Sequence, residues 1–406
     1  MKTLAGNPYI KIKEDKVFID LVPLKQVLSN YDTPLMIFIE NRIRENIHRF
    51  NEVFNAVFKQ FEGFYSVKAN YLSAINGIIS QENIGAEIIS LPELKTAIQS
   101  GFSPSNCIVG GPYLSNALLT HSIELGVKEI VVYSIEDLLL VNEYATKQNV
   151  VQEICLRINS MKYDSKLGIK IDEDNCKQLK NIITHCKNIQ IVSILSHYGS
   201  QMNNPDQYFK NACALINAIK RLEDFEIKIK NINFGGGFPE ATVMPIHQLK
   251  KIATGIKDRL LQHEITYERI YFEPGRYIVG DTALFIASVI KKTSDRWIFI
   301  NIGNHICPKF AKCAFRFYNA SHIEKAHKYK TSIAGIIPTD QDVLAKDYFF
   351  TEEIEVGDQI IVTNVGAYCL TFSNRFPYAL PKIILVEGKN YREIFDQHTD
   401  KDFSIY

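Results

Sequence analysis

The sequence predicts an α/β fold: a closed (β/α)8, TIM-like barrel with a C-terminal β-rich domain of sandwich or barrel type. Three observations predict it. Eight short strand-like runs recur between residues 63 and 273, segments with helical periodicity lie between them, and beyond about residue 280 strands continue with little helix.

The runs are "GFYSV" 63–67, "AEIIS" 86–90, "CIVG" 107–110, "EIVVYS" 129–134, "EICLRI" 153–158, "IQIVSILS" 189–196, "KNINFG" 230–235 and "RIYFE" 269–273. The intervals include "NALLTHSIELGV" 116–127 and "YFKNACALINAIKRL" 208–222, whose apolar residues return every three or four positions. Continuous apolar strands alternating with amphipathic helices imply a parallel sheet covered on its outer face. Eight such units suit a barrel, typically ~250 residues long; an open doubly wound sheet is the structural alternative. Ser90 with Glu93 and Ser134 with Asp137 match helix capping boxes directly after the second and fourth strands. The later strands are "ALFIASVIKKT", "RWIFINI", "KTSIAGII", "DQIIVTNVG" and "KIILVEG", and the strand-like "PYIKIKEDKVFIDLVPL" before the barrel is expected to join them. The expected domains are 36–280 for the barrel, and 1–35 with 281–406 for the β domain.

The chain has 406 residues, 46% hydrophobic and 22% charged, with a net charge of +1. That balance argues against a dedicated nucleic-acid or anionic-membrane surface. The N-terminus lacks the apolar core of a signal peptide, and no apolar run reaches the ~18 residues of a membrane helix. The eight cysteines are scattered without a C-x-x-C pair, which predicts buried thiols in a reduced, cytoplasmic protein and no metal site.

In such barrels chemistry gathers at the C-terminal ends of the strands. In "FYSVKAN" the first strand ends on Lys68, a costly residue there unless it is paired, neutralised or covalently used. The sixth ends in "SHYGSQ", with His197, Gly199 and Ser200; the seventh runs into Gly235, Gly236 and Gly237; the eighth ends in "EPGR", with Glu273, Gly275 and Arg276. Backbone amides in a concave turn, a hydroxyl and a forked cation suit a phosphate dianion. Each piece alone has a plain reading: a tight turn, a structural histidine, a solvated lysine. Their joint placement at one barrel face suggests pyridoxal 5'-phosphate held covalently by Lys68, with Glu273 beside the pyridine nitrogen and His197 against the ring.

The pieces "YSVKAN", "GAEIISLPEL", "LRIN", "SKLGI", "HYGSQ", "GGGF", "EPGRYIVG" and "GAY" stand in one order from residue 33 to about 372. In this the chain resembles the barrel-type (fold type III) pyridoxal-phosphate decarboxylases, which include diaminopimelate and ornithine decarboxylases. The resemblance implies an alanine-racemase-like architecture and a head-to-tail homodimer whose β domain completes the partner's site. It implies Lys68 as the covalent lysine, His197 as the stacking residue and Glu273 as the pyridine partner. Ser200, Gly235 to Gly237, Gly275, Arg276 and Tyr368 would serve the phosphate, and Lys166 resembles a lysine at dimer contacts.

Two departures bear on the substrate. "AGIIPTDQDVLAKD", 334–347, puts Pro338 where the family carries a cysteine that acts as an acid across the dimer, and proline has no proton to give. The glutamate that grips a substrate amine is also missing. The stretch resembles the Cys-Thr-Pro-x-Asp form of members acting on carrier-linked or modified amino acids, minus its cysteine. In "NIGNHICPKF", Cys307 precedes Pro308 where diaminopimelate enzymes place an arginine; losing a hydrogen bond to a charged carboxylate costs about 1.5–3 kcal/mol.

The reading is therefore a decarboxylase that removes the α-carboxylate of a modified or carrier-linked amino acid. Its alternatives are diaminopimelate decarboxylation with a relocated acid, a cofactor-binding regulator without turnover, and racemisation. Lys68, His305, Cys369, Asp342 and a water remain open as proton donor, with Asp342 counted among the catalytic candidates.

Overall fold

The computed structural model describes residues 2–160, 165–310 and 313–396, so the end of the expected 281–406 domain lies outside the described residues. The chain divides into two compact units: residues 47–239 with 243–275, and residues 1–46 with 240–242 and 276–406. The unit boundaries thus fall at 46/47 and 275/276, where sequence texture places them at 35/36 and 280/281.

All eight expected strands form one closed parallel barrel. They are β1 (Phe61–Ser66), β2 (Gly85–Ile88), β3 (Cys107–Gly110), β4 (Glu129–Val132), β5 (Gln152–Arg157), β6 (Ile189–Leu195), β7 (Asn231–Asn233) and β8 (Arg269–Phe272). Closure comes from β8 pairing with β1, Ile270 opposite Phe61, which excludes the open doubly wound sheet. Two apolar clusters, Phe64 with Ile108 and Tyr271, and Val131 with Cys155 and Leu195, draw on strands from around the ring.

The covering helices follow from their spacing and caps. Asn204 caps the helix Pro205–Glu223 by accepting from the Asp206 amide, and Pro205 occupies a first-turn position where no N–H is needed. Its buried residues include Tyr208, Ala212, Leu215, Ile216, Ile219 and Leu222, one stripe at three- and four-residue intervals. Burying each large aliphatic residue contributes roughly 1.5–3 kcal/mol. The Ser134–Asp137 capping box is complete in both directions. At Ser90 the box is shifted: its hydroxyl accepts from Glu93 N at 3.4 Å, while the Glu93 carboxylate reaches back to Ile89 N at 2.9 Å.

The second unit is β-rich. A meander of Lys2–Leu4, Asn7–Lys13, Lys16–Ile19 and Val22–Pro23 forms one antiparallel sheet, as the N-terminal pattern predicts. The larger sheet is built around Leu35–Ile39, Ala283–Lys292, Gln359–Thr363 and Lys382–Glu387. Ile10, Ile12 and Ile19 of the first sheet share one apolar core with Ile37, Leu284, Ile361 and Ile384 of the second.

Candidate active site

Strand β1 stops at Ser66, and one 3-10 turn, Val67–Ala69, presents Lys68. Asn70 fixes that exit. It is buried, its Oδ1 accepts from Leu72 N at 3.0 Å, and its carbonyl accepts from the Tyr65 hydroxyl at 2.9 Å and Asn76 Nδ2 at 3.1 Å. Lys68 is 36% exposed and pairs with the carboxylate of Glu87 near the end of β2, whose Oε2 also accepts from the Ser66 hydroxyl. Ser66 and Glu87 lie opposite each other in the β1–β2 ladder. Burial would raise the Glu87 carboxyl, but the charge and hydrogen bond of Lys68, helped by Ser66, hold it below the ordinary carboxylate range. The lysine at the strand end is thus a paired charge.

Glu273 follows β8, and β8 is the direct neighbour of β1 in the closed ring. Ser66 N donates to Pro274 O at 3.2 Å, tying the two strand exits together. Glu273 is 8% exposed, and Asn233 Nδ2 donates to its Oε1 at 2.8 Å. Burial, reinforced by the negative Glu87, pushes its carboxyl up to about 7, against the pull of Lys68 and Asn233.

The glycine turn interlocks three strand exits. Gly235 N donates to Asn233 Oδ1 at 2.8 Å, so one asparagine fixes both the turn and Glu273. Gly236 N donates to His197 Nδ1 at 3.4 Å, which leaves the histidine proton on Nε2. Gly235 and Gly237 have φ of 65° and 90°, in the region that favours glycine. A Cβ on Gly236 would strike the Glu273 carbonyl, and one on Gly237 the Gly199 carbonyl. Ser200 is exposed on the loop leaving β6, and Gly275 is buried after Glu273.

The remaining candidates lie in the β-rich unit. Arg276 is 5% exposed; it donates to Glu240 Oε1 at 3.3 Å and Phe310 O at 3.1 Å, and its guanidinium lies 4.9 Å from the Tyr368 ring centre. The structure therefore brings Arg276 and Tyr368 together. Asp342 is buried, with Oδ1 accepting from Asn304 N at 2.7 Å and Oδ2 from Ile337 N at 2.8 Å. Its carboxylate fastens the 334–342 stretch to the segment that carries His305 and Cys307. Cys369 is buried, and burial raises its thiol well above the ordinary range. Lys166 is exposed.

Sequence reading missed Glu87, Asn233 and Arg157. Arg157, at the end of β5, donates from Nη1 to the Tyr133 hydroxyl at 2.7 Å, and its guanidinium lies 4.6 Å from that ring's centre. The usable signal was a polar residue at or beside a strand's C-terminal end, in "GAEIIS", "NINFGGGF" and "CLRIN".

This donor set fits pyridoxal 5'-phosphate. The barrel offers an amine for an aldehyde, a buried carboxylate for a pyridine nitrogen, an imidazole, and a turn whose backbone passes closer than a Cβ would permit. The family model for the pyridoxal-dependent decarboxylases, pyridoxal binding domain, matches residues 40–280. The chain belongs to the pyridoxal-dependent decarboxylases. Diaminopimelate decarboxylase of Methanocaldococcus jannaschii is 25% identical over 98% of this chain and 96% of its own length. L-glutamyl-[BtrI acyl-carrier protein] decarboxylase of Niallia circulans is 25% identical over 87% and 88%. The crystal structure of the M. jannaschii enzyme with L-lysine superposes with a TM-score of 0.86 at 24% identity, covering 96% of this chain and 95% of that one, and confirms the fold. As a member of these decarboxylases the chain is a carboxy-lyase that uses pyridoxal 5'-phosphate and acts on an amino acid.

Proposed function

We propose that this decarboxylase removes the α-carboxylate of a modified or carrier-linked amino acid and not of free diaminopimelate. The observation that carries the reading is the pair Cys307–Pro308 and Pro338, where the resembling enzymes place an arginine and a cysteine. The Niallia circulans relative, named for a carrier-borne glutamyl substrate, supports it. The diaminopimelate decarboxylases matched along nearly the whole chain favour the second reading, decarboxylation of diaminopimelate with a relocated acid.

When bound, the cofactor supplies an aldehyde for the substrate amine and a ring that accepts the electron pair left by departing CO2. Lys68 would hold it covalently through its Nζ amine. Glu87 holds the Lys68 amine in place beside Ser66. Asn233 aims the Glu273 carboxyl, which would hold the pyridine nitrogen. His197 would support the ring, and the Gly235–Gly237 turn with Ser200 and Gly275 would take the phosphate; the family pattern gives Arg276 and Tyr368 the same task. We assign the proton that replaces CO2 to the Lys68 Nζ, since both Asp342 oxygens serve backbone amides. A cytoplasmic homodimer, with Lys166 at its contacts, completes the proposal; among the described residues no helix is long and apolar enough to cross a membrane.

The test is CO2 release by the cofactor-loaded chain from carboxyl-labelled diaminopimelate, lysine, ornithine and glutamate, and from glutamate carried as a thioester. Release from the thioester alone is the expected result. Comparable kcat/KM on free diaminopimelate would overturn it in favour of the second reading. No release from any of these would favour a non-catalytic regulator.

A further inference from the structure

In the β-rich unit, four buried polar atoms without hydrogen-bond partners among the described residues fall on two touching segments: His305 Nδ1, Thr371 Oγ1, Ser373 Oγ and Arg375 Nε. The segments are stitched together, since the His305 carbonyl accepts from Asn374 N at 3.1 Å and Arg375 N at 3.5 Å. The His305 and Tyr378 ring centres are 5.6 Å apart. His305 is 2% exposed. Buried polar groups ordinarily find partners, so four idle ones on two hydrogen-bonded segments call for an occupant.

We propose that this loop pair is a binding site for an oxyanion, a carboxylate or a phosphate ester. Three of the four atoms are donors in every relevant state: two hydroxyls that turn to suit, and a guanidinium N–H fixed in its fork. The fourth, His305 Nδ1, donates in one neutral tautomer; burial lowers the ring's affinity for a proton, against the pull of Asp342. No carboxylate pairs with Arg375 among the described residues, and Asp342, the acid that acts on His305, already accepts from Asn304 and Ile337. A cluster made of donors and one unpaired cation selects an anion, and Arg favours the planar two-oxygen face of a carboxylate or a phosphate. Ordered water, the competing occupant, would satisfy the hydroxyls but bring no charge to the half-buried guanidinium.

The experiment is calorimetric titration of the full chain, already loaded with pyridoxal 5'-phosphate, with glutarate and separately with inorganic phosphate. One equivalent of either is expected to bind, and which one binds distinguishes the two sources. Arg375→Gln should weaken that binding about tenfold or more, and Ser373→Ala should weaken it measurably. Ser373→Ala serves as the deciding variant if Arg375→Gln lowers the melting temperature. Absence of binding by both probes, or binding that neither variant changes, would overturn the proposal. Turnover enters none of these readings, so this result and the decarboxylation test stand or fall separately.

Discussion

Glu87 and Glu129 sit on neighbouring-but-one strands of the same barrel, 8% and 1% exposed, and end with opposite protonation. Glu87 lies near the C-terminal end of its strand and meets the Lys68 ammonium, which outweighs burial and keeps it ionised. Glu129 opens its strand and takes its hydrogen bonds from neutral donors, Ser193 Oγ at 2.7 Å and Asn231 Nδ2 at 3.4 Å, while the pull of Lys128 is too small to offset burial. Burial pushes it up to about 7, so it stays protonated below neutrality. Two equally hidden carboxyls thus differ because one was given a cation. The difference shows what a paired cation does to a buried carboxyl: Glu87 keeps its charge, while Glu129, like Glu273 bonded to the neutral Asn233, is pushed up to about 7.

Removing the cation should break the comparison most severely. Lys68→Ala is expected to lower CO2 release roughly 10²–10⁴-fold, the scale of a lost group that handles protons in the reaction; steady-state kinetics with saturating cofactor would show it. Glu87→Gln leaves Lys68 its neighbour's shape without its charge. A hydrogen bond to a charged group contributes about 1.5–3 kcal/mol, so kcat/KM should fall roughly ten- to hundredfold. Gly236→Ala drives a Cβ into the Glu273 carbonyl. Overpacking of this kind costs about 1–3 kcal/mol, readable as a lower urea midpoint together with weaker cofactor binding.

Glu129→Gln sharpens the comparison from the other end. The folded value of Glu129, about 7, lies above its ordinary 4.5. The stability it lends is therefore complete below about pH 4.5 and lost as pH rises through about 7. Glutamine cannot ionise, so the variant should gain roughly 3 kcal/mol over the parent near pH 8, fading toward none near pH 4. Urea melts at the two pH values would check it. A gain that is the same at both would remove the contrast between Glu87 and Glu129.

Much of this was legible in the chain. The eight barrel strands are short apolar runs bounded by helices, and Lys68, Glu273 and the glycine turn are read from where those runs stop. Glu87 was hidden because its meaning depends on register: it becomes a partner only when β2 lies beside β1 with Ser66 opposite. Strand Val343–Phe350 was missed because Lys346 and Asp347 interrupt its apolar residues and few of its positions are buried. Leu35–Ile39 is fully buried, yet nothing local says that it pairs with Ala283–Lys292, about 250 residues later. The role of Asp342 was obscure for a similar reason: the amides it accepts from lie on two loops, and only folding brings Asn304 to it.

The most direct test of the central claim is borohydride reduction of the cofactor-loaded chain followed by peptide mass spectrometry. The account predicts that the cofactor's mass is fixed to the peptide containing "YSVKAN", on Lys68, and to no other lysine. Label on a different lysine, or none despite bound cofactor, would contradict it.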